Sequence, residues 1–217
     1  MTNRPLHWSL KSLQTIAFEY IGSIVQTNTF KGFMDLLFII LEKVGSKFEV
    51  VSALYLDLYR DIVSKESVLL HLTKADKVLV IGGGSLPATP MLLAQSTGAT
   101  IDLIDKDPTA VTAAKQFIRT YHLEHNIKVV NANGLQYPMA SYDVIIILYG
   151  VKQPEKVLEY IASQVSEKAR VVLRVITDEQ GNIHDTTLDI TRYFIIMGRV
   201  RSTTLGSFES LMLMKKP

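Results

Sequence analysis

The stretch that decides the fold is VLVIGGGSLP, residues 78–87. Four consecutive apolar residues are typical of a strand that is buried on both faces of a parallel sheet. The glycines that follow allow a tight turn in which the backbone lies directly against a ligand. A helix then begins, and its free amides and partial positive charge face the same ligand. We therefore predict a cofactor site at the turn, formed by Gly82, Gly83, Gly84, Ser85 and Leu86.

Similar apolar runs recur along the rest of the chain and alternate with helical patterns. Further strands are predicted at residues 100–104, 127–130, 144–148 and 171–176, and helices at 87–97, 108–122 and 154–165. This alternation is typical of a doubly wound α/β sheet. The last two runs, 194–204 and 208–215, are joined by a short link and predict an antiparallel hairpin at the edge of the sheet.

The first third of the chain has a different pattern, with apolar residues at three- and four-residue spacing. It predicts helices over residues 10–24, 30–44 and 48–70. We interpret residues 1–72 as a helical cap and residues 73–217 as a cofactor-binding domain. The apolar cap helices allow a homodimer as readily as packing within one chain.

Composition excludes several classes of function. The formal net charge is +2, so no global field attracts nucleic acid. The chain has no cysteine and no apolar signal segment at its start, which agrees with a cytoplasmic protein. The longest early apolar run, residues 33–41, is too short to span a membrane. The five histidines show no metal-ligand spacing, so no metal site is predicted.

An acidic residue ends the second predicted strand. Asp105 lies about 20 residues beyond the glycine turn, where a carboxylate accepts hydrogen bonds from the ribose of an adenosine. Asp107 stands directly before Pro108 and is suited to cap the next helix. We therefore assign Asp105 and its neighbour Lys106 to the cofactor site, and Asp107 to the cap.

The kind of adenosine cofactor follows from what the turn lacks. A dinucleotide fingerprint requires a sixth-position glycine where Pro87 stands, and a P-loop requires Gly-Lys-Ser/Thr after the turn. A nucleoside without phosphates is favoured, and S-adenosylmethionine is the common one.

Two later strand ends add candidate residues. Asn133 and Gly134 follow the third strand, where Asn133 accepts a hydrogen bond from adenine or forms a simple turn with the glycine. Tyr149 ends the fourth strand and is a candidate for both cofactor and substrate contact.

In detail the sequence resembles the nicotianamine synthases. IGGGSLPATP, residues 81–90, is similar to the glycine turn of that family, which is followed by Leu-Pro or Met-Pro. VVLR, residues 171–174, is similar to the family's fifth strand, which also ends on arginine. Upstream, Tyr55, Tyr59 and Glu66 fit a tyrosine-rich family segment, although Leu58 replaces its asparagine.

This resemblance implies a Rossmann-like seven-stranded methyltransferase sheet with an N-terminal helical cap. Nicotianamine synthases transfer the 3-amino-3-carboxypropyl group of S-adenosylmethionine to an amine, using a tyrosine and a glutamate from the helical part. Tyr59 is the matching tyrosine, and Glu42 or Glu49 is available as the glutamate. Arg174 is expected to pair with a carboxylate of cofactor or substrate, or to lie in solvent at the strand end.

Three functions remain open from the sequence. Because methyl transfer is the commonest use of this fold, the first hypothesis is an S-adenosylmethionine-dependent methyltransferase that acts on a small-molecule acceptor. The specific motifs favour the second, aminocarboxypropyl transfer to an amine. The third is a non-catalytic sensor that binds the cofactor without turnover.

Overall fold

The computed structural model of this chain describes residues 48–178, 180–185, 188–205 and 208–217. The first two predicted helices of the cap, and Glu42, lie outside these residues. The chain divides into two units, Met1–Tyr55 and Leu56–Pro217. In the first unit only the start of a helix is described, and the second holds the rest of that helix and the whole sheet. The domain boundary at residues 72 and 73 stays a prediction.

The described elements alternate as the sequence predicted. Numbered in chain order, the helices are α1 (Phe48–Leu69), α2 (Ala88–Thr97), α3 (Pro108–Thr120) and α4 (Pro154–Gln164). The strands are β1 (Lys77–Ile81), β2 (Thr100–Asp105), β3 (Ile127–Asn131), β4 (Val144–Ile147), β5 (Arg170–Ile176), β6 (Phe194–Arg201) and β7 (Phe208–Lys215). A short 3₁₀ helix, Ile190–Arg192, precedes β6.

The seven strands form one sheet in the order β3-β2-β1-β4-β5-β7-β6. Strands β1 to β5 are parallel to one another, whereas β7 is antiparallel to both β5 and β6. The predicted hairpin is confirmed, with β7 inserted between β5 and the edge strand β6. The strand order reverses between β1 and β4, and ligands bind above the carboxyl ends of the strands at such a switch point.

Burial explains why the central strands are continuous apolar runs. Each residue of Val78–Ile81 is at most 4% exposed, because helices cover both faces of β1. Alternate residues of β4 and β5 (Ile145, Ile147, Val171, Leu173 and Val175) are buried and join one core with residues of α4 and β7. This core fixes the carboxyl ends of β1, β4 and β5 beside one another.

Helix α1 packs on the sheet near β5, β6 and β7. Its buried face carries Ile62 and Val63, and Leu69 lies close to Gly198 of β6. Lys65 donates a hydrogen bond to the carbonyl of Arg201 at 2.9 Å. No helix in the described part of the chain has the length and apolarity required to cross a membrane.

Candidate functional site

The glycine turn leaves β1 in a conformation that requires glycine. Gly82 has φ +83°, and a Cβ there would lie 2.5 Å from Cγ2 of Val151. Gly84 has φ +60°, but no described atom lies within 4 Å of the place where its Cβ would stand. The left-handed backbone at Gly84 therefore borders open space, as a turn that contacts a ligand must.

The carboxylate of Asp105 faces this turn from the end of β2. Its Oδ2 accepts a hydrogen bond from the amide of Gly84 at 2.8 Å, and its Oδ1 accepts one from the amide of Asp107 at 3.0 Å. A carboxylate has about four lone-pair positions, so both oxygens retain acceptor capacity. The half-buried side chain is thus oriented beside the glycine turn, with acceptor capacity left for a ligand.

Asp107 caps helix α3, as predicted. Its Oδ1 accepts hydrogen bonds from the amides of Thr109 at 2.8 Å and Ala110 at 3.5 Å, and Pro108 occupies the first turn of the helix. The two acids of this loop therefore have different partners, which supports their separate assignment.

A cleft of about 380 Å³ lies next to Asp105 at the carboxyl ends of β2 and β3. The residues that line it are Lys106, Asn131, Ala132, Asn133, Gln136 and Tyr137. The side chain of Asn133 forms a turn, because its Oδ1 accepts a hydrogen bond from the amide of Leu135 at 3.0 Å. That oxygen has a second lone pair, so it can still accept a hydrogen bond from an adenine amino group in the cleft.

The remaining cofactor candidates surround the same edge. Gly134 packs against the end of β1, since a Cβ there would lie 3.1 Å from Cγ2 of Ile81. Ser85 is half-buried, and Leu86 is buried before the start of α2. The structure thus gathers the glycine turn, Asp105, Lys106, Asn133 and Gly134 at one end of the sheet.

Tyr149 lies just beyond β4, beside the switch point. Its ring meets Phe208 edge-on, with the ring centroids 5.4 Å apart. Burial raises the pKa of the Tyr149 hydroxyl, so it stays protonated at neutral pH. A neutral hydroxyl at this position can donate a hydrogen bond but cannot serve as a strong base.

Tyr59 lies on α1 beside a buried ion pair. Its ring is 5.7 Å from the guanidinium carbon of Arg174. In the sheet register, Arg174 of β5 lies opposite Ser210 of β7, which is two residues after Phe208. Alternate residues of a strand share a face, so Phe208, which contacts Tyr149, and Ser210, which lies opposite Arg174, are on the same face of β7.

The partners of Arg174 differ from those predicted from sequence, which were a ligand carboxylate or solvent. The solvent interpretation is wrong, because Arg174 is 5% exposed, and the carboxylate that it pairs with in this structure is the fully buried Glu66. The two N···O distances are each 2.7 Å. Glu66 and Arg174 both belong to motifs that carry the family resemblance. That shared membership was the sequence signal from which their contact could have been predicted.

The glutamate predicted from the helical part is not placed by the structure. Glu49 lies in α1, and Glu42 precedes the described residues. No cluster of His, Asp and Glu side chains able to hold a metal ion occurs within the described ranges.

Comparison with known proteins gives consistent matches. A family model described as "Nicotianamine synthase protein" matches residues 22–216. The chain is 28% identical over 120 residues to an L-histidine 2-aminobutanoyltransferase from Yersinia pestis, a match of 55% of this chain. It spans only 45% of the length of that relative.

Solved structures share the fold. A glutamate-to-glutamine mutant of MtNAS in complex with S-adenosylmethionine matches with a TM-score of 0.74 at 18% identity, over 99% of this chain and 80% of that one. An RNA methyltransferase from Salinibacter ruber, in complex with S-adenosyl-L-homocysteine, matches with a TM-score of 0.59 at 14% identity, over 72% and 92%. The sheet is therefore the methyltransferase-type sheet that the sequence predicted.

Proposed function

Since this chain belongs to the nicotianamine synthase family, we propose that it transfers the 3-amino-3-carboxypropyl group of S-adenosylmethionine to an amine. Family membership supports this reaction over methyl transfer, which is the first hypothesis from the sequence alone. The curated relative from Yersinia pestis is named for the transfer of a four-carbon amino acid group to L-histidine. We accordingly propose the amino group of an amino acid as the acceptor, with L-histidine as the first one to test.

One observation carries the choice of this branch of the fold. The tyrosine-rich segment and the arginine of β5, which are the motifs that distinguish the resemblance, meet in the buried pair of Glu66 and Arg174. A coincidental match of two short motifs gives no reason for their side chains to meet across 108 positions of sequence. Their contact supports a common architecture rather than two unrelated similarities.

The residues at the sheet edge fit the proposed cofactor. Asp105 would hold the ribose, the cleft beside Lys106 and Asn133 would hold the adenine, and the open space at Gly84 would admit the methionine part. When bound, the sulfonium supplies three electrophilic carbons, so the group transferred depends on which carbon faces the acceptor. We propose that Tyr59 and Tyr149 orient the reacting groups.

In the proposed reaction the acceptor nitrogen attacks the methylene carbon next to sulfur in the aminocarboxypropyl chain. A new C–N bond forms and the C–S bond breaks, with its electron pair passing to sulfur to give neutral methylthioadenosine. The acceptor nitrogen then releases a proton to water. Because burial keeps the Tyr149 hydroxyl protonated, its proposed part is that of a hydrogen-bond donor.

The test uses two samples of S-adenosylmethionine, one labelled in the methyl group and one in the carboxyl carbon. Each is incubated with the protein and L-histidine, and then with a panel of other amino acids. We expect the carboxyl label to appear in the acceptor and the methyl label to remain in methylthioadenosine.

Since S-adenosylmethionine also decomposes to methylthioadenosine in water, only label recovered in the acceptor counts, against samples with heat-treated protein or without acceptor. Methyl label in the acceptor, together with S-adenosylhomocysteine, would identify a methyltransferase. Tight binding without any labelled acceptor across the panel would favour the sensor hypothesis.

A further inference from the structure

The buried ion pair between α1 and β5 has a geometry that holds both side chains firmly. Nε and Nη2 of Arg174 each donate to a different oxygen of Glu66 at 2.7 Å. The side chains are 3% and 0% exposed. Such two-bond pairs fix the orientation of both groups, because the planar guanidinium matches the carboxylate.

Two hydroxyl groups extend the pair to further elements. Nη1 of Arg174 donates to Oγ1 of Thr89 in the first turn of α2 at 2.8 Å. Ser210 of β7 donates to Oε1 of Glu66 at 2.5 Å. The pair therefore connects α1, α2, β5 and β7, and Tyr59 lies over the guanidinium.

Thr89 lies in the first turn of α2, three residues after Leu86, the last residue of the proposed cofactor turn. The residue before α2, Pro87, makes no side-chain capping hydrogen bond to the helix. Pro90, in the same turn of the helix, has no amide hydrogen to donate. Among the described contacts, the bond from Arg174 is thus a side-chain anchor for a helix start that has no side-chain cap.

The charges also point to a role beyond stability. A guanidinium close to the positive end of a helix is unfavourable on its own, and Glu66 neutralises it. Buried ion pairs are weak sources of stability compared with apolar side chains of the same size. What this pair offers over an apolar pair is a fixed direction for the hydrogen bond to Thr89.

We propose that Arg174 is a positioning residue that sets the start of α2, and with it the glycine turn, relative to α1 and Tyr59. The cofactor turn is then held by the same guanidinium that supports the proposed catalytic tyrosine. The inference rests on the proposed function, because it takes the turn to be the binding site of S-adenosylmethionine.

Thr89 and Ser210 provide a matched pair of variants. Each has one hydroxyl bonded to the ion pair, but only Thr89 belongs to the helix that follows the turn. We expect Thr89→Val to weaken the binding of S-adenosylmethionine by about tenfold, whereas Ser210→Ala leaves it within about twofold. Thr89→Ser keeps the hydroxyl and is expected to restore binding.

The dissociation constants are measured by titration calorimetry without acceptor, well below the unfolding temperature of each variant. Unchanged binding by Thr89→Val, an equal loss in Ser210→Ala, or no rescue by Thr89→Ser would overturn the positioning role. Absence of binding by the unmodified protein would instead contradict the proposed function. Because no acceptor is present, the result does not depend on which group is transferred.

Discussion

At the scale of single residues, Asp105 is the side chain that we propose holds the ribose of the cofactor. Removing a charged hydrogen-bond acceptor costs about 1–3 kcal/mol, so we expect Asp105→Ala to weaken S-adenosylmethionine binding by that amount in titration calorimetry. Asp107→Asn is the matched control, because asparagine caps helices as well as aspartate does. Equal affinities for Asp105→Ala and the unmodified protein would show that the ribose lies elsewhere.

The cap formed by Asp107 and the position of Asp105 at the end of β2 could be predicted from sequence because each depends on near neighbours. Asp107 needs only the helix that begins at the next residue, and Asp105 only the strand it ends. The pairing of Arg174 with Glu66 depends on how α1 lies on the sheet. No local pattern contains that information, so the sequence alone predicts only a ligand carboxylate or solvent as the partner of Arg174.

At the scale of elements, the turn between β1 and α2 can be compared with the turn that ends α2. Gly84 and Gly98 are both left-handed, with φ +60° and +70°, and neither has a close atom at its Cβ position. Alanine at either place therefore costs about 1–2 kcal/mol of backbone strain. We expect Gly84→Ala and Gly98→Ala to lower the free energy of unfolding equally in urea.

Only Gly84→Ala is expected to abolish cofactor binding as well, since its new methyl group would occupy the open space proposed for the ligand. Gly98 lies at the far end of α2, where an added Cβ would be 3.6 Å from Cγ of Lys74, an ordinary contact distance, and it serves as the control. If both variants bound S-adenosylmethionine equally well, the ligand would not approach Gly84.

Element positions were well predicted where burial is uniform. The strands of the parallel part are continuous apolar runs because both faces are covered, and Pro108 and Pro154 each mark a helix start. The end of α3 was placed two residues late, since its pattern runs to His122, which adopts φ +54°. Apolar spacing on α1 showed that one face is buried, but not that this face meets β5 and β7.

At the scale of the whole molecule, two carboxylates link α1 and the turn after it to the sheet. Asp61 accepts a hydrogen bond from the amide of Thr203 at 2.7 Å. Asp76 accepts from the amide of Thr73 at 2.7 Å and pairs with Arg170 at the start of β5. Burial acts to raise the pKa of both, but the hydrogen bonds and nearby cations outweigh it, so both pKa values lie below 3.8.

A carboxyl group with a lower pKa in the folded state stabilises the fold at pH values above its unfolded pKa, and this contribution is lost as the pH falls through the folded pKa. We therefore expect the free energy of unfolding to decrease below about pH 4. In urea titrations across this range, the double variant Asp61→Asn/Asp76→Asn should be less stable at pH 7 and show a shallower acid decline. Asp57→Asn, which removes an exposed pair with Arg60 on the same helix, should match the unmodified protein within about 0.5 kcal/mol. A parallel acid decline in the double variant would mean that other carboxylates govern acid unfolding and that these two links contribute little to holding α1 on the sheet.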